Sequence, residues 1–131
     1  MNIDSFEGLL VAAALQREPQ HLLMTFAAAE QEPEPVPGLE RAGPRHTLVP
    51  LMCVSKRVGE LDTFANLARE AREAGAQWDV VLVTTLAGQS GQPPAQASTD
   101  AALKQMVRLI QVGQMERFLA FDQAGDLLRF S

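Results

Sequence analysis

Apolar residues recur along this chain with two different periods, and the switches between them predict its elements. Ile3, Phe6, Leu10 and Ala13 or Ala14 fall at helical spacing. They follow Asp4 and Glu7, which stand three apart like the polar members of a capping box. A first helix is expected over residues 4–17, ended by Pro19. "HLLMTFAAA" (His21–Ala29) has strand length, although its alanines also suit a helix. "TLVPLMCV" (Thr47–Val54) is a second strand, in which Pro50 marks an edge position, a bulge or the strand entrance, because proline cannot donate to a ladder. From Glu60 to Ala74 the period is helical, with Leu61, Phe64, Leu67, Ala68 and Ala71 in one stripe and Gly75 as the stop.

"WDVVLVTTLAG" is the clearest strand. Its run from Val80 to Val83 suits a central strand covered on both faces. The loop "QSGQPPAQA" leads to Ser98 or Thr99 as N-cap of a third helix with the stripe Leu103, Met106, Val107 and Ile110, closed by Gly113. "RFLAFDQAGDLLRF" is a hairpin turning at Gly125, and turn chemistry explains Asp122 and Asp126. The order α-β-β-α-β-α-β-β makes this an α/β (α+β) chain, with a single mixed β-sheet of about five strands and three helices packed on it. Its β-α-β-α-β portion favours parallel strands joined by right-handed crossovers, while the two hairpins supply antiparallel edges.

Residues 30–46, "EQEPEPVPGLERAGPRH", break every period. Four prolines, two glycines and clustered glutamates predict a long exposed loop within one domain spanning residues 1–131. That length suffices for one core, and 47% apolar with 21% charged residues is ordinary for a soluble globular protein. The formal net charge of -5, the absence of tyrosine and the single tryptophan argue against a nucleic-acid partner, which needs cations and stacking platforms. "GLLVAAAL" is apolar like a signal peptide, but Asp4 and Glu7 precede it where export signals carry cations. No apolar run reaches the ~20 residues of a membrane span. With one cysteine there is no internal disulfide framework. A cytoplasmic protein with no membrane partner is expected.

Candidate chemistry is sparse. His21, His46 and Cys53 are the softer metal ligands, and none forms a zinc-like local pair, although their placement on neighbouring strands leaves convergence in space open. Cys53 with either histidine is the minimal dyad for a small enzyme, and Lys56 and Arg57 lie near it in sequence. An anion, nucleotide or phosphometabolite has one opening. The loop beginning at Gly88 leaves the expected central strand for a helix N-terminus, and Gly88, Ser90 and Gly91, with Lys56 and Arg57, form the candidate ligand set. The lysine-bearing P-loop and the G-x-G-x-x-G fingerprint are both missing. No metal or cofactor is expected.

"KRVGELDTF" (Lys56–Phe64) is similar to the start of the ATP-cone, the nucleotide-sensing domain of ribonucleotide reductases. The likeness stops there, since the ATP-cone is mostly helical and opens its chain, whereas this stretch is internal and precedes a strong strand. More of the chain resembles a group of short proteobacterial proteins labelled "ribonucleotide reductase subunit alpha", through "LLMTFAAAE", "LVPLMCVSK", "WDVVLV" and "FDQAGDLLRF". That resemblance implies no catalytic motif. Reductase catalysis uses several cysteines and a large barrel, and this chain has one cysteine in 131 residues. The expectation is therefore a non-catalytic binding or accessory protein working through protein contacts, with a protein partner or a second copy at its edge strands.

Overall fold

The computed structural model describes residues 5–31, 46–60 and 63–128. Of the loop expected at 30–46, Glu30 and Gln31 belong to a first strand and His46 to a second, while 32–45 lies outside the described residues, as do Asp4 and Leu61. The run "HLLMTFAAA" belongs to a strand, β1 (Gln20–Gln31). Leu22, Met24 and Phe26 point to one side of it and Leu23, Thr25 and Ala27 to the other, and all six are buried. A strand covered on both faces needs no polar alternation, which is why its sequence also suited a helix.

Four more strands complete the sheet: β2 (His46–Arg57), β3 (Val80–Ala87), β4 (Leu119–Asp122) and β5 (Leu127–Leu128). Their spatial order is β2-β1-β3-β4-β5. The five strands, three helices and element order are those expected, but every neighbouring pair is antiparallel, so the parallel neighbours of a mixed sheet are absent from these pairings. The reason lies in the placement of β1. β2 and β3 do run parallel to each other, but β1 lies between them, antiparallel to both. Farther along, Val112–Phe118 turns the chain so that β4 starts opposite Val83 and ends opposite Val80, running against β3.

Helices α1 (Phe6–Ala14) and α2 (Phe64–Glu73) cover one face, and α3 (Gln96–Gln111) covers the other. The first core is aromatic. Phe6 meets Phe64 and Phe121 at centroid distances of 5.3 and 5.8 Å, and Trp78 meets Phe26 at 5.1 Å, all near edge-to-face. This arrangement sets positive ring edges against negative ring faces. The second core is aliphatic: Met106 and Ile110 of α3 sit on Leu23, Leu48 and Leu82. Val80–Val83 are all buried, with Val81 and Val83 facing the first core and Val80 and Leu82 the second.

The helix ends differ from expectation in three places. Ser5 caps α1 by accepting the Gly8 N–H at 3.0 Å. A 3-10 turn at Val58–Glu60 delays α2, which Thr63 caps by accepting the Asn66 N–H at 3.1 Å. α3 starts at Gln96 after Ala95, ahead of both expected caps. Thr99 is inside that helix and buried, its hydroxyl donating to the Ala95 carbonyl at 3.2 Å. The final turn is as expected: the Asp122 carboxylate accepts the N–H groups of Ala124 and Asp126, both at 2.9 Å, and Gly125 adopts φ 88°.

Candidate functional site

The strand period separates the two cations of "SKRVGELDTF". β2 extends through Arg57, so Lys56 and Arg57 are consecutive strand residues and leave the sheet on opposite faces. Lys56, opposite Leu22, reaches α2 and pairs with Glu70 at 2.8 Å. Arg57, opposite His21, lies on the α3 face. Its backbone N–H donates to the Glu60 carboxylate at 3.1 Å, and its Nε is 3.9 Å from the same oxygen. The Lys56–Glu70 pair is partly exposed, at 26% and 54%, so its worth is small. Lys56→Ala should cost less than about 1 kcal/mol, and the cost should shrink in high salt, as read by denaturant midpoints in low and high sodium chloride.

The glycine loop is closed on itself. Gln89 and Gln92 exchange N–H···O bonds of 3.1 and 2.9 Å around Ser90 and Gly91, whose φ values are 54° and 75°. Positive φ at both central residues is the mark of a type I′ turn. The Gly88 N–H donates to the Pro19 carbonyl at 2.8 Å, and the Gly91 N–H to the Glu18 carboxylate at 2.7 Å. A carboxylate of the chain itself thus holds the amide that a phosphate would need. Gly88, Ser90 and Gly91 share this turn beyond the end of β3. Arg57 lies two strands across on the α3 face, and Lys56 lies on the opposite face. The five residues are therefore not all on one face of the sheet, although Arg57 and the Gly88 turn lie toward the same end of it.

The two histidines and the cysteine are also kept apart. On the β1–β2 ladder His21 is opposite Arg57, Cys53 opposite Thr25 and His46 opposite Gln31. At ~3.3 Å per residue, Cys53 is about 13 Å along the sheet from His21, and His46 is about 33 Å from it. Cys53 and His46, seven residues apart on one strand, are about 23 Å apart. Neither dyad nor metal centre can form from them, and among the described residues no three His, Cys, Asp or Glu side chains could hold an ion. Cys53 is exposed, with its Sγ 3.5 Å from the Thr25 hydroxyl. Both ring nitrogens of His21 are buried without a hydrogen-bond partner among the described residues.

What the site prediction left unused is the outer edge of β2. Strand main chains alternate the side to which N–H and C=O point. The Pro19 carbonyl accepts from Gly88 and the Ala27 carbonyl from Asp79, so odd-numbered residues of β1 bond toward β3 and even-numbered ones toward β2. Lys56, Val54 and Met52 therefore face β1, while Cys53, Ser55 and Arg57 present their main chains outward. The Arg57 N–H is capped by Glu60. At the other end Pro50 has no N–H, and the register shifts between Phe26 and Ala27, leaving Leu51 as an extra, exposed residue. Between these two blocks lies a short window, Cys53–Ser55, whose outward main-chain groups have no hydrogen-bond partner among the described residues. Pro50 was the sequence signal for it, but only the register shows where the window starts and stops.

Among the described residues no helix is long and apolar enough to cross a membrane. Comparison of the chain with protein-family models, curated proteins and solved structures finds no match.

Proposed function

We propose that this chain is a cytoplasmic, non-catalytic binding or accessory protein that acts through protein–protein contacts, and that the outer edge of β2 is its contact surface. The observation that carries this reading is the open main chain at Cys53 and Ser55, flanked by the exposed Leu51. From Leu48 to Ser55 this edge strand has no charged residue. Edge strands of self-sufficient proteins are usually blunted by charge, proline or a bulge, and here proline and bulge act only at one end of the window. A partner strand laid along it gains main-chain hydrogen bonds for affinity and side-chain contacts for specificity.

Ser55→Pro is the test. The Ser55 N–H points away from β1, so proline removes an outward donor while leaving the internal ladder intact. Proteins retained by the immobilised wild-type chain should be lost with Ser55→Pro and kept with Ser55→Ala, with circular dichroism unchanged in both. Retention of the same proteins by Ser55→Pro at equal strength would move the contact surface elsewhere.

A further inference from the structure

We infer that the strand filling this window is β2 of a second copy of the same chain, antiparallel, with a twofold axis beside Val54. The inference rests on the edge reading above and adds the identity of the occupant. The open groups at Cys53 and Ser55 are symmetrically placed about Val54, whose own main chain is turned toward β1. A twofold axis at Val54 sets Cys53 against Ser55 of the second copy and Ser55 against its Cys53. Each such pair exchanges two N–H···O bonds, so the four bonds use every open group in the window.

Neighbouring registers do worse. Centring the axis on Ser55 sets Cys53 against Arg57, whose N–H is already held by Glu60. Centring it on Cys53 sets Ser55 against the Leu51 bulge. Charge favours the same answer. The cations of β2, Lys56 and Arg57, lie beyond the window at one end, and the Val54-centred register sets them against Met52 and Leu51 of the second copy. A register centred nearer the strand end would oppose like charges. The assembly also closes. Pairing consumes the long β2 edges, joins two five-stranded sheets into one, and leaves at the outside only β5, whose strand is two residues long. An isologous contact of this kind stops at a dimer.

Sedimentation equilibrium and a cysteine-pair series test this together. The wild-type chain should sediment at twice its mass, and Ser55→Pro should weaken association at least about tenfold, a change of about 1.4 kcal/mol. On the axis, residue 54 of each copy forms a non-hydrogen-bonded pair with Cα atoms about 4.5 Å apart, within disulfide reach. In a Cys53→Ser background, Val54→Cys should therefore cross-link on mild oxidation, whereas Met52→Cys, whose two copies lie four positions apart across the pair, should not. A chain that sediments at single mass overturns the second-copy inference. So does a dimer that survives Ser55→Pro, or one that cross-links through Met52→Cys as fast as through Val54→Cys. The edge reading itself falls separately, if Ser55→Pro also keeps every retained protein.

Discussion

Trp78→Ala should destabilise the fold by about 3–5 kcal/mol, the range for removing a buried aromatic side chain. Trp78 is 1% exposed and stands between α2 and β3, with its ring edge-on to Phe26 at 5.1 Å and to Phe64 at 6.3 Å. It therefore links the central strand β1 to the first turn of α2, and its backbone carbonyl accepts a bond from the Gln123 side chain in the last hairpin. For a chain of this size each kcal/mol moves the midpoint by about 3–5 °C, so a drop of about 10–20 °C is expected in thermal melts followed by circular dichroism. Trp78→Phe should lose less than half as much. The indole Nε1 is buried with no hydrogen-bond partner among the described residues, and removing an unsatisfied donor recovers a desolvation cost of about 1–3 kcal/mol against the lost contact area. Equal losses for the two variants would mean that the indole N–H does find a partner in the folded protein.

Gly88→Ala should be the costliest single-methyl change in the glycine loop. A Cβ at Gly88 would lie 1.8 Å from the Gln92 carbonyl oxygen and 2.9 Å from its carbon. Both are backbone atoms in a tight turn, so no side chain can swing aside to relieve the contact. The loop must open, weakening the Gly88–Pro19 and Gly91–Glu18 bonds that tie it to the start of β1. A loss of about 2–3 kcal/mol is expected in urea unfolding, toward the upper end of overpacking costs. Gly59→Ala is the matched control. Among the described residues nothing lies within 4 Å of a Cβ built there, and its φ is not positive, so the change should be neutral or stabilise by up to about 1 kcal/mol. The glycine that gives "KRVGELDTF" its likeness to a nucleotide-sensing motif is thus the dispensable one. Gly88 is required by its own turn.

Lys56 and Arg57 are adjacent in sequence, and in an extended strand adjacency places them on opposite faces. The apolar pattern ends β2 at Val54, three residues short of Arg57, where the strand stops. His21, His46 and Cys53 belong to neighbouring strands, which by sequence alone leaves their convergence open. Pairing of neighbouring strands fixes separations along the strand as firmly as it fixes contacts across it, and the register keeps these three apart. The same register frees the Cys53–Ser55 edge.

The sequence by itself determined the elements, their order, the central place of Val80–Val83 and the chemistry of the last turn. Those depend on local periodicity, on proline and glycine, and on side chains bonding to nearby backbone, all of which act over a few residues. Tertiary structure decided the rest: β1 inserted between β2 and β3, antiparallel pairing throughout, a carboxylate from residue 18 satisfying an amide at residue 91, and the register that leaves one short edge window open. These outcomes depend on which distant strands share hydrogen bonds. A shift of one residue in that pairing, invisible to any local pattern, would turn every side chain of β2 to the other face.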